Sequence, residues 1–287
     1  MPVTDEDIKR LEDKAWQIRR LCLMITGWAG GGHIGGSLSQ TDILVALYYH
    51  FMRVDPTRPE WEDRDRFVLS KGHGGLGHAA ILADLGFFDR DLLKTFNKTG
   101  SSFGMHLDGN KVPGVDASTG SLGHGLGIAV GMAIGARLQG KSWRTYCVCG
   151  DGELCEGTIW EAAMSGNQFK VTNLTVLIDR NMLMIDGFTE KIMALEPLAK
   201  RWEAFGWYVQ EIDGHDMRQI CQAVENARAQ TERPPVIICR TVKGKGVDFM
   251  ENRPEWHYGG LDSARLEQAL AALDRAYGKT APMPAVR

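Results

Sequence analysis

Apolar residues recur along this chain at two spacings. After Thr4, the residues Ile8, Leu11, Ala15, Ile18, Cys22 and Ile25 return every three or four positions, which predicts a helix with one buried face and Thr4 as its N-cap. Further helices are expected over 41–51, from 75 to about 85, and over 156–169, 195–205, 216–230 and 263–277. Between them lie short apolar runs at 66–70, 143–149, 174–178, 207–212 and 235–240, which read as strands. From residue 143 onward strand and helix alternate, so the pattern predicts an α/β fold: a parallel sheet with helices on both faces. A glycine-rich loop, 30–36, is expected to end the first helix. Segments 97–120 and 244–260 have no period and are long enough to suggest functional loops. No internal repeat is visible. Residues 1–277 read as a single domain and 278–287 as a flexible tail.

One helical segment, 121–138, has glycine at 123, 127, 131 and 135. On a helix these make a smooth groove on one face. Each costs up to about 1 kcal/mol relative to alanine. Close packing against another helix or chain is expected to offset that cost, either inside the same domain or at an interface.

Composition narrows the function. Of 287 residues, 44% are hydrophobic and 24% charged, with a net charge of −3. That balance gives no nucleic-acid footprint. No apolar run is long enough to span a membrane and the N-terminus has no signal-peptide features, so no membrane association and a cytoplasmic location are expected. The six cysteines form no CxxC pair, and buried reduced thiols are expected. Cys147 and Cys149 alternate on one strand and share a face. Cys155 lies near the first chemical motif and is expected to be a packing residue.

That motif is Gly150-Asp151-Gly152-Glu153, followed thirty residues after Asp151 by Asn181. Each lies just past the end of an expected strand, where ligands bind in parallel sheets. The glycines let backbone approach a phosphate and offer N–H groups. A carboxylate and an amide oxygen suit Mg²⁺ or Ca²⁺, with diphosphate oxygens completing the shell. Four of the eight histidines (His33, His73, His106 and His257) sit in glycine-rich loops expected at one end of the sheet. Histidines there can bond phosphate and sugar hydroxyls and move protons near neutral pH.

Five stretches in order carry a family resemblance: Gly32 to Ser39, Asp65 to Gly74, Pro113 to Gly123, Gly150 to Gly157, and Asp179-Arg180-Asn181 running to Ile185-Asp186-Gly187. Together they resemble the N-terminal, diphosphate-binding part of transketolases, with its thiamine-diphosphate-binding fold. The resemblance implies thiamine diphosphate as cofactor. Asp151, Asn181 and the carbonyl of Leu183 would hold a divalent ion, Mg²⁺ or alternatively Ca²⁺ or Mn²⁺. His73, His257 and the N–H of Gly152 would meet the diphosphate. Gly120 and Leu122 would approach the aminopyrimidine. His33, His106 and His257 would line the channel and contact the donor ketose, with His33 and His257 handling protons. Glu156 and Glu161 would lie near a subunit interface and link two active sites. The implied reaction moves a two-carbon ketol unit from a ketose phosphate to an aldose through a cofactor-bound dihydroxyethyl intermediate.

Transketolases are more than twice this long. The resemblance therefore implies a split enzyme, in which a second subunit supplies the pyrimidine-binding domain with its activating glutamate and the C-terminal domain, as a 2+2 heterotetramer. Departures from the family pattern at Met105 to Asp108 and at Ser121 to His124 point to varied sugar phosphates, modified or branched ones included. Lys71, where a small or amide residue is commoner, reads either as a surface lysine or as a charge near the phosphate entrance. Rival readings are the alpha chain of a 2-oxo acid dehydrogenase, a synthase of 1-deoxyxylulose 5-phosphate, and a non-catalytic cofactor-binding module.

Overall fold

A computed structural model describes residues 3–282. Half of the expected tail, 283–287, lies outside the described residues. The first helix, α1 (Asp5–Ala29), starts where the periodicity puts it. Thr4 and Asp7 form a reciprocal capping box that satisfies two end N–H groups. Two short helices follow, α2 (Ile34–Ser39) and α3 (Thr41–Ala46), and α3 runs into a π-helical turn at Leu47–Phe51. Part of the expected glycine loop is thus helical, because α2 is wholly buried and packing overrides glycine's poor propensity.

Five strands form one sheet: β1 (Arg66–Leu69), β2 (Thr145–Gly150), β3 (Leu174–Arg180), β4 (Tyr208–Asp213) and β5 (Pro235–Arg240). Their order is β1-β2-β3-β5-β4 and every pairing is parallel. Side chains alternate along a strand, and the alternation divides the core in two. Phe67, Leu69, Tyr146, Val148, Leu177 and Ile237 face α1, α3, α4 (Gly75–Leu85), α9 (Met217–Arg228) and α10 (Ser263–Ala276). Val68, Cys147, Cys149, Val176, Ile178 and Ile238 face α5 (His124–Leu138), α6 (Gly157–Gln168) and α8 (Leu198–Ala204). The expected α/β architecture holds. The helix expected over 195–205 begins only at Leu198, after a short α7 (Thr189–Ile192), because the Glu196–Pro197 segment is not helical.

A buried ion pair ties the first core together. Arg19 bonds Asp42 through both terminal nitrogens, at 2.8 and 2.6 Å, and also reaches the Leu38 carbonyl and the Tyr277 hydroxyl. His215 completes the Asp42 side at 2.7 Å. Burial opposes the Asp42 charge, but Arg19 outweighs it and holds the carboxyl well below the usual carboxylate range.

The glycine face of α5 does not pack inside the chain. A Cβ at Gly127 or Gly131 would meet nothing within 4 Å. Ile128 and Leu138 on the same helix are exposed. Internal packing is therefore ruled out for these positions. Of the four glycines at 123, 127, 131 and 135 only Gly123, at the helix start, is crowded: its φ is +87° and a Cβ would collide with Thr158 and Glu156. Among the described residues no helix is long and apolar enough to cross a membrane.

Candidate functional site

The carboxyl ends of β1, β2, β3 and β5 open onto one cavity of about 350 Å³, lined among others by His33, Lys71, His73, His106, Asp151, Asn181, Leu183, Lys243 and His257. Parallel pairing explains the convergence. Gly150 stands opposite Asp179 in the β2–β3 register, so Asp151 and Asn181 leave the sheet side by side. Lys71 follows β1 closely and Lys243 follows β5. A Cβ at Gly72 would run into the Thr119 carbonyl, which is how the His73 turn packs directly on the loop that ends at Gly120.

Asp151 is buried and held from three sides. Its Oδ1 accepts from the Gly152 N–H at 2.8 Å. Its Oδ2 accepts from the Met182 N–H at 2.6 Å and from Arg180 at 3.2 Å. Burial and then the neighbouring Asp179 charge push its pKa up to about 6, against the pull of Arg180. Arg180 also bonds Thr189, Glu190 and Glu196, so one fully buried guanidinium fastens the 181–196 segment to the site. Asn181 Oδ1 accepts from the Leu183 N–H at 3.1 Å.

Asp179 lies beneath. It accepts from Lys71 and Thr241, from Ser39 at 2.6 Å and from Asn181 Nδ2 at 3.3 Å. Lys71 is 2% exposed. The surface-lysine reading is therefore wrong: its ammonium is paired with Asp179 and also donates to the Gly36 carbonyl at 3.0 Å. Burial opposes the Asp179 charge, yet Lys71 and the hydroxyls hold the carboxyl below its ordinary value.

The histidines form a cluster. His33 lies 5.1 Å from both His73 and His257 and 6.3 Å from His106, ring centre to ring centre. His73 and His257 stack at 5.3 Å. Burial, reinforced by neighbouring charges, lowers His33 to about 4, His73 to about 2 and His257 to about 3. All three are neutral at pH 7 and serve as hydrogen-bond partners, not cations. Lys243 donates to His257 Nδ1 at 2.8 Å and to the Leu183 carbonyl at 3.1 Å. With Nδ1 accepting, the His257 ring proton is on Nε2. Burial lowers Lys243 to about 8. His33 Nδ1 is buried without a partner.

Gly120, Leu122, Gly152 and Glu156 line the same cavity. Glu153 holds that rim: it accepts from Ser70 at 2.6 Å and from the N–H groups of Gly123 and Gly150. Glu161 is exposed on α6, outside the cavity lining. Five cysteines are buried as expected, with Cys147 and Cys149 sulfurs 3.8 Å apart on one face. Cys155 departs from expectation. It is exposed and lines the cavity, because a short 3₁₀ turn carries it past the end of β2.

The donor set fits a diphosphate with a divalent ion. Asp151 Oδ, Asn181 Oδ1 and the Leu183 carbonyl are oxygens of the kind hard cations take. Among the described residues no group of three or more His, Cys, Asp or Glu forms a metal site by itself; the oxygens here come from one carboxylate, one amide and one backbone carbonyl. Two buried lysines, Lys71 and Lys243, line the same space, which suits an anion. Sequence reasoning gave no role to Lys243, nor to Arg180, Asp179 or Glu153, although the last three lie inside the quoted motifs. Lys243 was within reach, since it follows the carboxyl end of a strand; the other three depend on tertiary partners.

Comparison with known proteins agrees. Residues 12–281 match the family of the transketolase thiamine diphosphate binding domain. A 6-deoxy-6-sulfo-D-fructose transketolase subunit from Clostridium sp. (strain MSTE9) is 43% identical over 265 residues, covering 92% of this chain and 96% of that one. An apulose-4-phosphate transketolase subunit from Phocaeicola vulgatus is 42% identical, covering 92% of this chain and 93% of that one. Human transketolase is 36% identical, but the match covers 92% of this chain and only 42% of the human one. The structure of transketolase from Leishmania mexicana superposes with a TM-score of 0.87 at 30% identity, again over 97% of this chain and 42% of that chain. This chain therefore spans less than half the length of those transketolases and nearly all of the named subunits. With the parallel sheet and its cavity, these matches show that the chain belongs to the transketolase family of transferases and corresponds to their thiamine diphosphate binding domain.

Proposed function

We propose that this chain is the diphosphate-binding subunit of a split transketolase and moves a two-carbon ketol unit from an anionic ketose to an aldose. The observation that carries this reading is the meeting of four loop histidines with Asp151, Asn181 and Leu183 on one cavity. Bound thiamine diphosphate supplies the carbon nucleophile and electron sink that allow the ketose C2–C3 bond to break. Asp151, Asn181 and the Leu183 carbonyl hold a divalent ion, Mg²⁺ by the hardness of the donors. Lys243, His73 and the Gly152 N–H receive the diphosphate. His257 donates from Nε2, because Lys243 occupies Nδ1. Neutral His33 and His257 orient sugar hydroxyls, His257 as a donor through Nε2, and His33 accepts or returns the C3 hydroxyl proton. His106 lines the outer part of the channel, and Gly120 and Leu122 meet the aminopyrimidine side.

A second subunit supplies the pyrimidine-binding domain, and two copies of each chain close the assembly. Glu156 and Glu161, both exposed, face that interface, as does the glycine face of α5. Relatives named for 6-deoxy-6-sulfo-D-fructose and for apulose-4-phosphate support an anionic ketose, and branched or modified sugars fall within this reading. A 2-oxo acid dehydrogenase alpha chain has no use for four sugar-facing histidines. The test is ketol transfer from xylulose 5-phosphate to ribose 5-phosphate with thiamine diphosphate and Mg²⁺, using the chain alone and with its partner. Activity only in the mixture is expected. A mixture that forms a cofactor-dependent complex but transfers no ketol unit from any anionic ketose would overturn the reaction.

A further inference from the structure

We infer that Tyr258 is a positioning residue whose ring holds the His33 imidazole at the angle the donor sugar requires. The inference deepens the proposed ketol transfer and rests on that reading. The backbone of His33 is anchored, since its carbonyl accepts from the Ser37 N–H at 3.3 Å and from Ser37 Oγ at 2.9 Å. The ring has no such anchor. Its Nδ1 is buried without a partner, and the side chain makes no capping bond to α2. The outer torsion of a histidine is broad, so packing must set the ring angle.

Tyr258 supplies one wall of that packing. Its ring meets His33 edge-on, with centres 5.2 Å apart and planes at 77°. The ring has a seat of its own over Gly31, where a Cβ would come within 2.8 Å of Tyr258 Oη and 3.2 Å of Cζ. A larger residue at 31 would displace the ring. The loop beneath it is tied down separately, because Gly32 and Gly259 exchange backbone hydrogen bonds of 3.0 Å. Tyr258 is 46% exposed, so its removal should cost the fold little. It does not itself line the cavity. What it can do there, it does through His33.

The test uses the chain with its partner subunit and follows ketol transfer from an anionic ketose, xylulose 5-phosphate first. Tyr258→Ala should lower kcat/KM for the ketose by up to about 100-fold, the cost of a misplaced reacting group. Thiamine diphosphate affinity, read by calorimetry, should stay at the wild-type value. Tyr258→Phe keeps the ring and should restore most of the rate. In a His33→Ala background, Tyr258→Ala should cost nothing further, because the two residues act as one unit. Any of three results would overturn the positioning role. Tyr258→Phe as slow as Tyr258→Ala would assign the hydroxyl to the sugar directly. Cofactor affinity falling in step with rate would assign Tyr258 to the loop of His257. A full further loss in the His33→Ala background would show that it acts elsewhere. The comparison of Phe with Ala decides the matter even where His33→Ala leaves too little activity to measure. Wild type that binds thiamine diphosphate but transfers no ketol unit from any anionic ketose would instead overturn the reaction, and this role with it.

Discussion

Two buried ion pairs in this chain look alike and do different things. Arg19–Asp42 and Lys71–Asp179 each place a cation and a carboxylate out of water, and each carboxylate accepts further hydrogen bonds. The first joins α1 to α3 and, through Tyr277 and His215, to residues just past α10 and β4. Its partners are fully used inside the core. The second faces the cavity: Lys71 lines it, and Asp179 grips Asn181, which lines it too. Burial of charge therefore does not mark a site here. What marks it is a paired group whose next neighbour has valence left over toward open space. Perturbed titration alone makes the same error, since Asp42 is shifted more clearly than Asp179.

The contrast can be broken by substitution. Lys71→Met should show the largest combined effect. It leaves Asp179 charged and unpaired, a loss of about 3–5 kcal/mol in stability, and it should also weaken thiamine diphosphate binding. Arg19→Leu should cost a comparable amount, about 3–5 kcal/mol, while the folded fraction binds cofactor as wild type does. Denaturant titration with parallel calorimetry checks both, and equal cofactor binding by the two variants would erase the distinction.

A smaller effect concerns His78 on α4, a neutral buried residue bonded to Tyr48 at 2.7 Å. Burial lowers its pKa to about 3, whereas an unfolded histidine titrates near about 6.5. The unfolded chain then binds the proton more tightly. Stability from this group is complete above about pH 6.5 and drains away as the pH falls toward 3. His78→Gln should flatten the acid limb of a plot of melting temperature against pH. An unaltered acid limb would show that other groups control it. The smallest effect is expected at Gly131→Ala, where nothing opposes a methyl group. The isolated chain should gain about 0.5–1 kcal/mol. Sedimentation should show weaker assembly if α5 meets another subunit, and unchanged assembly would free that face of the role.

Much of the fold was legible because its signal is local. All five strands were visible as apolar runs, and Thr4 announced α1. The errors have tertiary causes. Helix α2 forms from a glycine-rich segment because it is buried on every side, and α8 starts late because of Pro197. The site was legible in part because a parallel sheet brings the carboxyl ends of strands together. That rule gathers Asp151, Asn181 and the histidine loops before any coordinates are known. It could not reveal that Lys71 is buried, since a lysine shows its partner only when Asp179 comes beside it. Nor could it reveal the Arg180 clamp, whose carboxylates come from three separate positions.

One small contact sets a schedule for the whole molecule. Gly32 and Gly259 exchange two backbone hydrogen bonds, each of 3.0 Å, and so fasten the loops of His33 and His257. These glycines stand near opposite ends of the sequence. During synthesis the first loop leaves the ribosome long before the second exists. A nascent chain can complete β1, β2 and β3 and still have only part of its histidine cluster. Contacts between distant segments are also slow to form. Cofactor capture should therefore wait until the loop of His257 has been made.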